Sequence, residues 1–451
     1  MQLPLTFQQQ WLWALLQQYM DWNCTVAYAF RLHGELSVSV LRRSLREVIR
    51  RHGSLRTRIV IVDGVAKQET DDPRAGHFDM TLIAGRSAAE IEERARRIFV
   101  EFADLQVDPA AGPLLRVRLL KLSGREHWLL IALHRLTADC FCADQIFREL
   151  WSFYGDFLQQ RPPALDAEPL QYGEYAIWQH STSREWAKKH GTYWQKRLAG
   201  ARNLQWPPDP SAPASTRPGN SRLTTLFGEA LSDDLRVLAR RSRALIGTVM
   251  LAVYVATLWQ WCRQKDFVIP FNIAGRQSEH RHVVGYFAHV LYLRMQLTGE
   301  ETFAELLARV SNEFFRALTH QDFGRIALQE PQLLTGTYFQ WVSGHAEETD
   351  PTQQGLDAAS NLHVQRLPIG TYGDDISACP PGTIDVDLTF FDTPGGIYAA
   401  GWYRSDRFSA ETMNRFMADL RSTAEHVVRT SNSQPAGADT PPRAESAPDP
   451  R

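Results

Sequence analysis

The chain has 451 residues, too many for one compact core, so two subdomains are expected. Hydrophobic residues make up 44% and charged residues 22%, an ordinary globular balance. Lys and Arg total 49 against 51 Asp and Glu, a formal charge of −2, which gives no footing for a nucleic-acid partner or a membrane surface.

The five cysteines form neither a metal-ligand spacing nor a disulfide framework and suggest a reducing compartment. From Met1-Gln-Leu-Pro4, which lacks a basic n-region followed by an apolar stretch, no signal peptide is expected. The longest apolar run, Ile246 to Trp259, is shorter than the roughly 20 residues of a membrane span and reads as a core helix. A cytoplasmic protein is expected.

In chain order, residues 8–20 place Trp11, Leu12, Leu15, Leu16 and Tyr19 on one helical face. Residues 38–51 repeat that period and stop at Gly53. A third helix opens at the capping box Ser87-x-x-Glu90 and runs toward Phe102. Val26–Leu32 and Leu114–Leu122 read as strands. His127 to His134 is an apolar run of strand length, fitting a strand buried on both faces. The period then turns helical through Ile146, Phe147, Leu150, Phe153 and Phe157, so His134 to Cys140 is a strand-to-helix turn.

Pro- and Ser-rich residues 203–222 predict a crossing between subdomains. Helices are expected at 232–243, 246–263 and 302–319, and a loop over the Gly/Pro/Asp-rich residues 344–382. From Ser431 on, apolar residues nearly vanish, which predicts a disordered tail. The fold class is α+β or α/β in two halves.

Several segments, in order, resemble the condensation domains of nonribosomal peptide synthetases, within the chloramphenicol-acetyltransferase-like superfamily. Pro4-Leu-Thr-Phe-Gln-Gln-Gln-Trp-Leu-Trp13 resembles the family's opening helix, with Trp11 where arginine is usual. Arg51-His-Gly-Ser-Leu-Arg-Thr57, Tyr172-Gly-Glu-Tyr-Ala-Ile-Trp178 and Ala274-Gly-Arg276 resemble later motifs. So do Val284-Gly-Tyr-Phe287 with Arg294, His320-Gln-Asp322 and Asp387-Leu-Thr389. The family signature His-His-x-x-x-Asp-Gly reads here His134-Arg135-Leu136-Thr137-Ala138-Asp139-Cys140.

The resemblance implies an α/β-sandwich type of α+β fold. It consists of two chloramphenicol-acetyltransferase-like subdomains, 1–180 and 181–430, arranged in a V around a central tunnel, with residues 431–451 as the tail. It implies that Asp139 is structural and pairs with Arg276, that His134 is a buried structural histidine, and that Arg135 stands where the family's second histidine serves the condensation. Alternative partners for Arg135 are Asp139 or Glu174. His134, Arg135 and Asp139 are the candidate catalytic set. Cys140, His289, Trp341 and Ser343 are candidate tunnel-lining residues.

The substitution changes the chemistry. A guanidinium has five donors and no acceptor, so Arg135 cannot act as general base, though it can hydrogen-bond a developing oxyanion. Losing a positioned base typically costs about 10²–10⁴-fold in rate. Cys140 and Cys142 lie near a helix start, where thiol pKa values fall, but small buried cysteines are the commoner case. His280, His282 and His289 lack a third ligand at a recognisable spacing, and no metal is expected.

Two functions follow from the resemblance. One is a stand-alone, monomeric condensation-like acyltransferase, taking thioesters presented on the phosphopantetheine of peptidyl or acyl carrier proteins and needing no cofactor of its own. The other is an inactive recruitment domain that docks a tailoring oxygenase, such as a cytochrome P450, to a carrier-bound peptide. Glycopeptide-antibiotic assembly lines contain a domain of that kind with the same His-Arg pair.

Overall fold

The computed structural model describes residues 2–72, 77–163, 168–213, 219–321, 336–343, 361–370, 380 and 382–432. The first half runs β1 (Gln2–Pro4), α1 (Phe7–Gln18), β2 (Thr25–Gly34), α2 (Val38–Arg51), β3 (Thr57–Val62), β4 (Val65–Thr70), β5 (His77–Leu82), α3 (Ala88–Asp104), β6 (Leu115–Lys121), β7 (Glu126–His134), α4 (Cys140–Leu158) and α5 (Tyr172–Leu198). The second half continues with β8 (Asn220–Leu226), α6 (Glu229–Arg241), α7 (Ile246–Cys262), β9 (Asp266–Ile273), β10 (His289–Gln296), α8 (Phe303–Thr319), β11 (Thr337–Ser343), β12 (Leu362–Gly370), β13 (Val386–Thr393), β14 (Gly396–Arg404) and α9 (Ala410–Asn432).

Each half is built on a sheet. In the first the strand order is β12-β2-β7-β6-β5, and in the second β10-β9-β11-β13-β14-β8. β7 shows why a continuous apolar run is needed at a sheet's centre. Its odd residues Leu129, Ile131 and Leu133 pack in the cluster that holds Leu45 of α2 and Phe147 of α4. Its even residues Trp128, Leu130 and Ala132 face Phe99 and Phe102 of α3. Alternation sends successive side chains to opposite faces, and helices cover both. α7 is apolar all round because it is buried, with Val249 to Val255 and Leu258 all within the second core. No single described helix is long and apolar enough to cross a membrane.

One expectation changes. Residues 362–370, within the segment read as loop, form β12, which pairs antiparallel with β2 (Leu362 opposite Gly34, Val364 opposite Leu32). A strand from the second half of the chain thus closes the edge of the first sheet. Residue 180, the expected division between subdomains, lies inside α5: Tyr172 and Tyr175 belong to the cluster joining the halves, and Trp194 to the second core. A boundary at 180/181 falls inside that helix, with β1–β7 before it in the chain and β8–β14 after it. Of the expected tail 431–451, Ser431 and Asn432 end α9 and the rest lies outside the described residues.

Candidate functional site

β7 ends at His134 and α4 begins at Cys140, so the signature residues form the turn between them. The turn is tied down along its length. His134 N–H donates to Leu114 O at 2.9 Å and Arg135 N–H to Cys24 O at 2.9 Å. The Thr137 hydroxyl donates to His134 O at 2.9 Å. Gln9 of α1 donates from Nε2 to Leu136 O at 2.9 Å. Gln8 and Gln9 are buried, unlike the all-apolar face expected of α1, because their amides serve as connectors: Gln9 Oε1 accepts from Thr6 N at 3.0 Å and Gln8 Oε1 from Gln179 Nε2 at 2.9 Å.

His134 is buried, and its Nδ1 accepts from Leu136 N at 3.2 Å, so the ring is neutral and carries its proton on Nε2. Burial, reinforced by the charge of Arg135, lowers its pKa to about 3. His134 is thus enclosed and is not poised to take a proton near pH 7.

Asp139 caps α4, its Oδ1 accepting from Cys142 N at 3.1 Å. The same carboxylate accepts from Arg276 Nη2 at 3.0 and 3.2 Å and from Phe287 N at 3.1 Å. Its side chain is 2% exposed and that of Arg276 11%. Burial opposes the guanidinium charge, but the Asp139 carboxylate prevails and raises the Arg276 pKa above the ordinary value. Arg276 Nη1 reaches on to His280 O at 3.1 Å and Val283 O at 2.6 Å, and its guanidinium sits 4.3 Å above the Phe287 ring. The pair joins α4 of the first half to the 276–287 segment of the second, the partnership expected of Asp139.

Cys142 belongs to this knot. Its Sγ lies 2.9 Å from Gly285 O and 2.8 Å from Arg276 Nη2. Burial, together with the Asp139 charge, pushes its thiol pKa up, the opposite of the lowered pKa that activates a thiol. Arg135 is half-buried at the junction of the two halves, its backbone fixed to Cys24. Its charge also acts on Cys24, whose thiol burial nevertheless pushes up to about 12.

The expected tunnel residues are dispersed. His289 is buried, its Nδ1 3.1 Å from Phe287 O and its Nε2 3.1 Å from Gln321 O. It lines a small cavity with Gln8, Trp178, Gln179, Gly275 and Gln277; Arg135 is not among the walls. Trp341 packs over Gly247 at the start of α7, where a Cβ would meet the indole at 3.0 Å. Cys140 opens α4 and Ser343 ends β11, the side chains of both lying outside the described residues. So does Asp322 of the His320 motif. Among the described residues no three His, Cys, Asp or Glu side chains converge as metal ligands.

Sequence reasoning missed Gly285 and Tyr172 as structural determinants. A Cβ on Gly285 would lie 2.1 Å from Tyr172 Cδ2. The Tyr172 hydroxyl donates to Tyr286 O and lies 2.9 Å from Thr6 Oγ1. Both residues sit in quoted motifs, but only the fold brings them together.

A family model described as "Condensation domain" matches residues 1–447. A component of the linear gramicidin synthase of Brevibacillus parabrevis is 30% identical over 94% of this chain, which spans 8% of that component's length. Phosphinothricin tripeptide synthetase PhsB of Streptomyces viridochromogenes is 28% identical over 90% of this chain and 34% of its own length. Among solved structures, the condensation domain of the monacolin K polyketide synthase MokA superposes with a TM-score of 0.78 at 18% identity, covering 95% of this chain and 98% of that one. The X-domain from teicoplanin biosynthesis does so at 0.76 and 23%, covering 95% of each chain. The chain belongs to the condensation-domain family of nonribosomal peptide synthetases, with the two-part chloramphenicol-acetyltransferase-like fold.

Proposed function

We propose that this domain accepts thioesters from carrier proteins of a nonribosomal peptide or hybrid polyketide assembly line and joins them by weakened acyl transfer, without a general base at the signature turn. The observation that carries this reading is an intact scaffold around an altered residue. Asp139, Arg276, Phe287 N and Cys24 O hold the turn at the junction of the halves, while Arg135 occupies the position of the second histidine and His134 is neutral and enclosed.

In the transfer, the acceptor's nucleophilic nitrogen or oxygen attacks the thioester carbonyl carbon. The oxygen gains the electron pair, and collapse breaks the C–S bond to release the pantetheine thiol, which takes up the proton lost by the nucleophile. Arg135 can donate to the oxygen as charge develops there, and holding both substrates in one site supplies much of the remaining acceleration. Neither contribution takes the proton from the nucleophile. An amine must therefore arrive deprotonated, and the reaction is slow.

A second reading is favoured by the missing base and by the solved complex of the X-domain with OxyB, to which this fold is similar at a TM-score of 0.76. On that reading the domain recruits a tailoring oxygenase and transfers nothing. Intact-protein mass spectrometry with a panel of aminoacyl- and acyl-loaded peptidyl carrier proteins separates the two. Weakened transfer predicts slow product formation that drops about 10²-fold in Arg135→Ala, the effect of removing one oxyanion donor. No product with any pair, or equal rates for parent and variant, contradicts it.

A further inference from the structure

Away from the signature turn, the second half carries a surface trough of about 470 Å³ that the transfer reading does not use. Residues 206–210, the end of α7 and the first turns of α9 enclose it, with Trp206, Pro208, Trp261, Phe408, Arg415 and Asp419 among its walls. The aromatic walls are rigid. Trp206 Nε1 donates to Gly336 O at 2.7 Å, Trp261 Nε1 donates to Asp419 Oδ2 at 3.0 Å, and Phe416 meets both indoles edge-on at 5.0 and 5.4 Å. With their N–H groups engaged, the indoles offer flat apolar surface. Arg415 is exposed, its guanidinium 5.4 Å from the Trp261 ring, and among the described residues no carboxylate pairs with it. Two carboxylates also line the trough, but Asp209 accepts from Ser211 N and Ser409 N and Asp419 from the Trp261 indole. That leaves the Arg415 guanidinium as the charge without a carboxylate partner among the described residues. Rigid aromatic faces beside that cation suit an extended proline-rich segment that carries acidic residues.

We propose that this trough holds the chain's own segment around Pro441-Pro442, folded back along α9. The length of chain supports this occupant. α9 continues 17 residues beyond Arg415 to Asn432, about 26 Å of helix. An extended polyproline segment covers about 3.1 Å per residue, so eight or nine residues after Asn432 reach back to the trough, which brings Pro441 and Pro442 onto it. With three residues per turn, Asp439, Pro442, Glu445 and Pro448 share one edge of such a segment. That edge sets a proline between two carboxylates, matching an indole wall beside Arg415. Tethering raises the local concentration of this segment to the millimolar range, favouring it over a similar segment on another molecule. Docking there covers the face formed by residues 206–210 and α9 and leaves the signature turn untouched.

The test uses the full chain and a labelled synthetic peptide of residues 433–451. The parent, whose trough is filled, should bind the peptide at least about ten-fold more weakly than the Pro441→Ala/Pro442→Ala variant. Adding Arg415→Glu to that variant should remove the binding, and this exposed position is tolerant of substitution. Hydrogen exchange should show residues 410–419 and the amides of Trp206 and Asp209 better protected in the parent than in the double alanine variant. Equal binding to parent and variant would mean an open trough filled from other molecules. That outcome, or no binding together with unchanged exchange, overturns the proposal.

Discussion

Asp139 serves four donors with one carboxylate: the N–H and the thiol of Cys142 at the start of its own helix, the Arg276 guanidinium and the N–H of Phe287. Breaking a buried pair by removing one partner typically costs about 3–5 kcal/mol, because the other charge stays buried and unpaired. Asp139→Ala should therefore lower the denaturant midpoint sharply or abolish soluble expression, and Asp139→Asn, which keeps an acceptor for the helix N–H, should lose less. Equal stability of Asp139→Ala and parent would remove the carboxylate from the structural account. His134 gives a pH signature. Its folded-state pKa of about 3 lies below the ordinary 6.5, so as pH falls the unfolded chain takes up the proton first. The stability it contributes is present above about pH 6.5 and is lost toward pH 3, with a slope of at most about 1.4 kcal/mol per pH unit. His134→Asn, which retains an acceptor near the Nδ1 position, should flatten the stability curve in that window relative to the parent. Parallel curves for the two proteins would contradict the neutral, enclosed histidine.

The elements that hold these residues were legible in unequal measure. Helices with an apolar stripe and a capping residue could be read locally, as at α3, where Ser87 Oγ accepts from Glu90 N at 3.2 Å. There Glu90 reaches back to Arg86 N rather than to the cap itself, a detail the spacing does not reveal. β7 could be read from its unbroken apolar run. β12 could not: turn-forming residues surround it, and its partner β2 lies more than 300 residues earlier, so no local pattern marks it as a strand. The Asp139–Arg276 pair was accessible only through resemblance, since the two residues are 137 positions apart. The 284–287 segment leaves no room for a side chain at Gly285. Tyr172 is held by its hydroxyl and packed against Phe287 at a centroid distance of 5.1 Å, so its ring has no room to yield. Gly285→Ala should cost at least the roughly 1–3 kcal/mol typical of overpacking. An unchanged denaturant midpoint would show that the two halves meet less tightly than described.

At the scale of the molecule, the two sheet-and-helix halves are joined by α5, by β12 on the first sheet's edge, and by the knot of Asp139, Arg276, Cys142 and Phe287. The signature turn lies within that junction, so its altered residue bears on whatever the halves bring together. The account holds that Arg135 donates and that nothing at the turn accepts a proton near neutrality. The pH dependence of single-turnover transfer between loaded carrier proteins, in the parent and in His134→Asn, tests this most directly. The rate should rise only with deprotonation of the acceptor amine and have the same profile in both proteins. An inflection near pH 6.5 in the parent that disappears in His134→Asn would establish a working base at the turn and contradict the account.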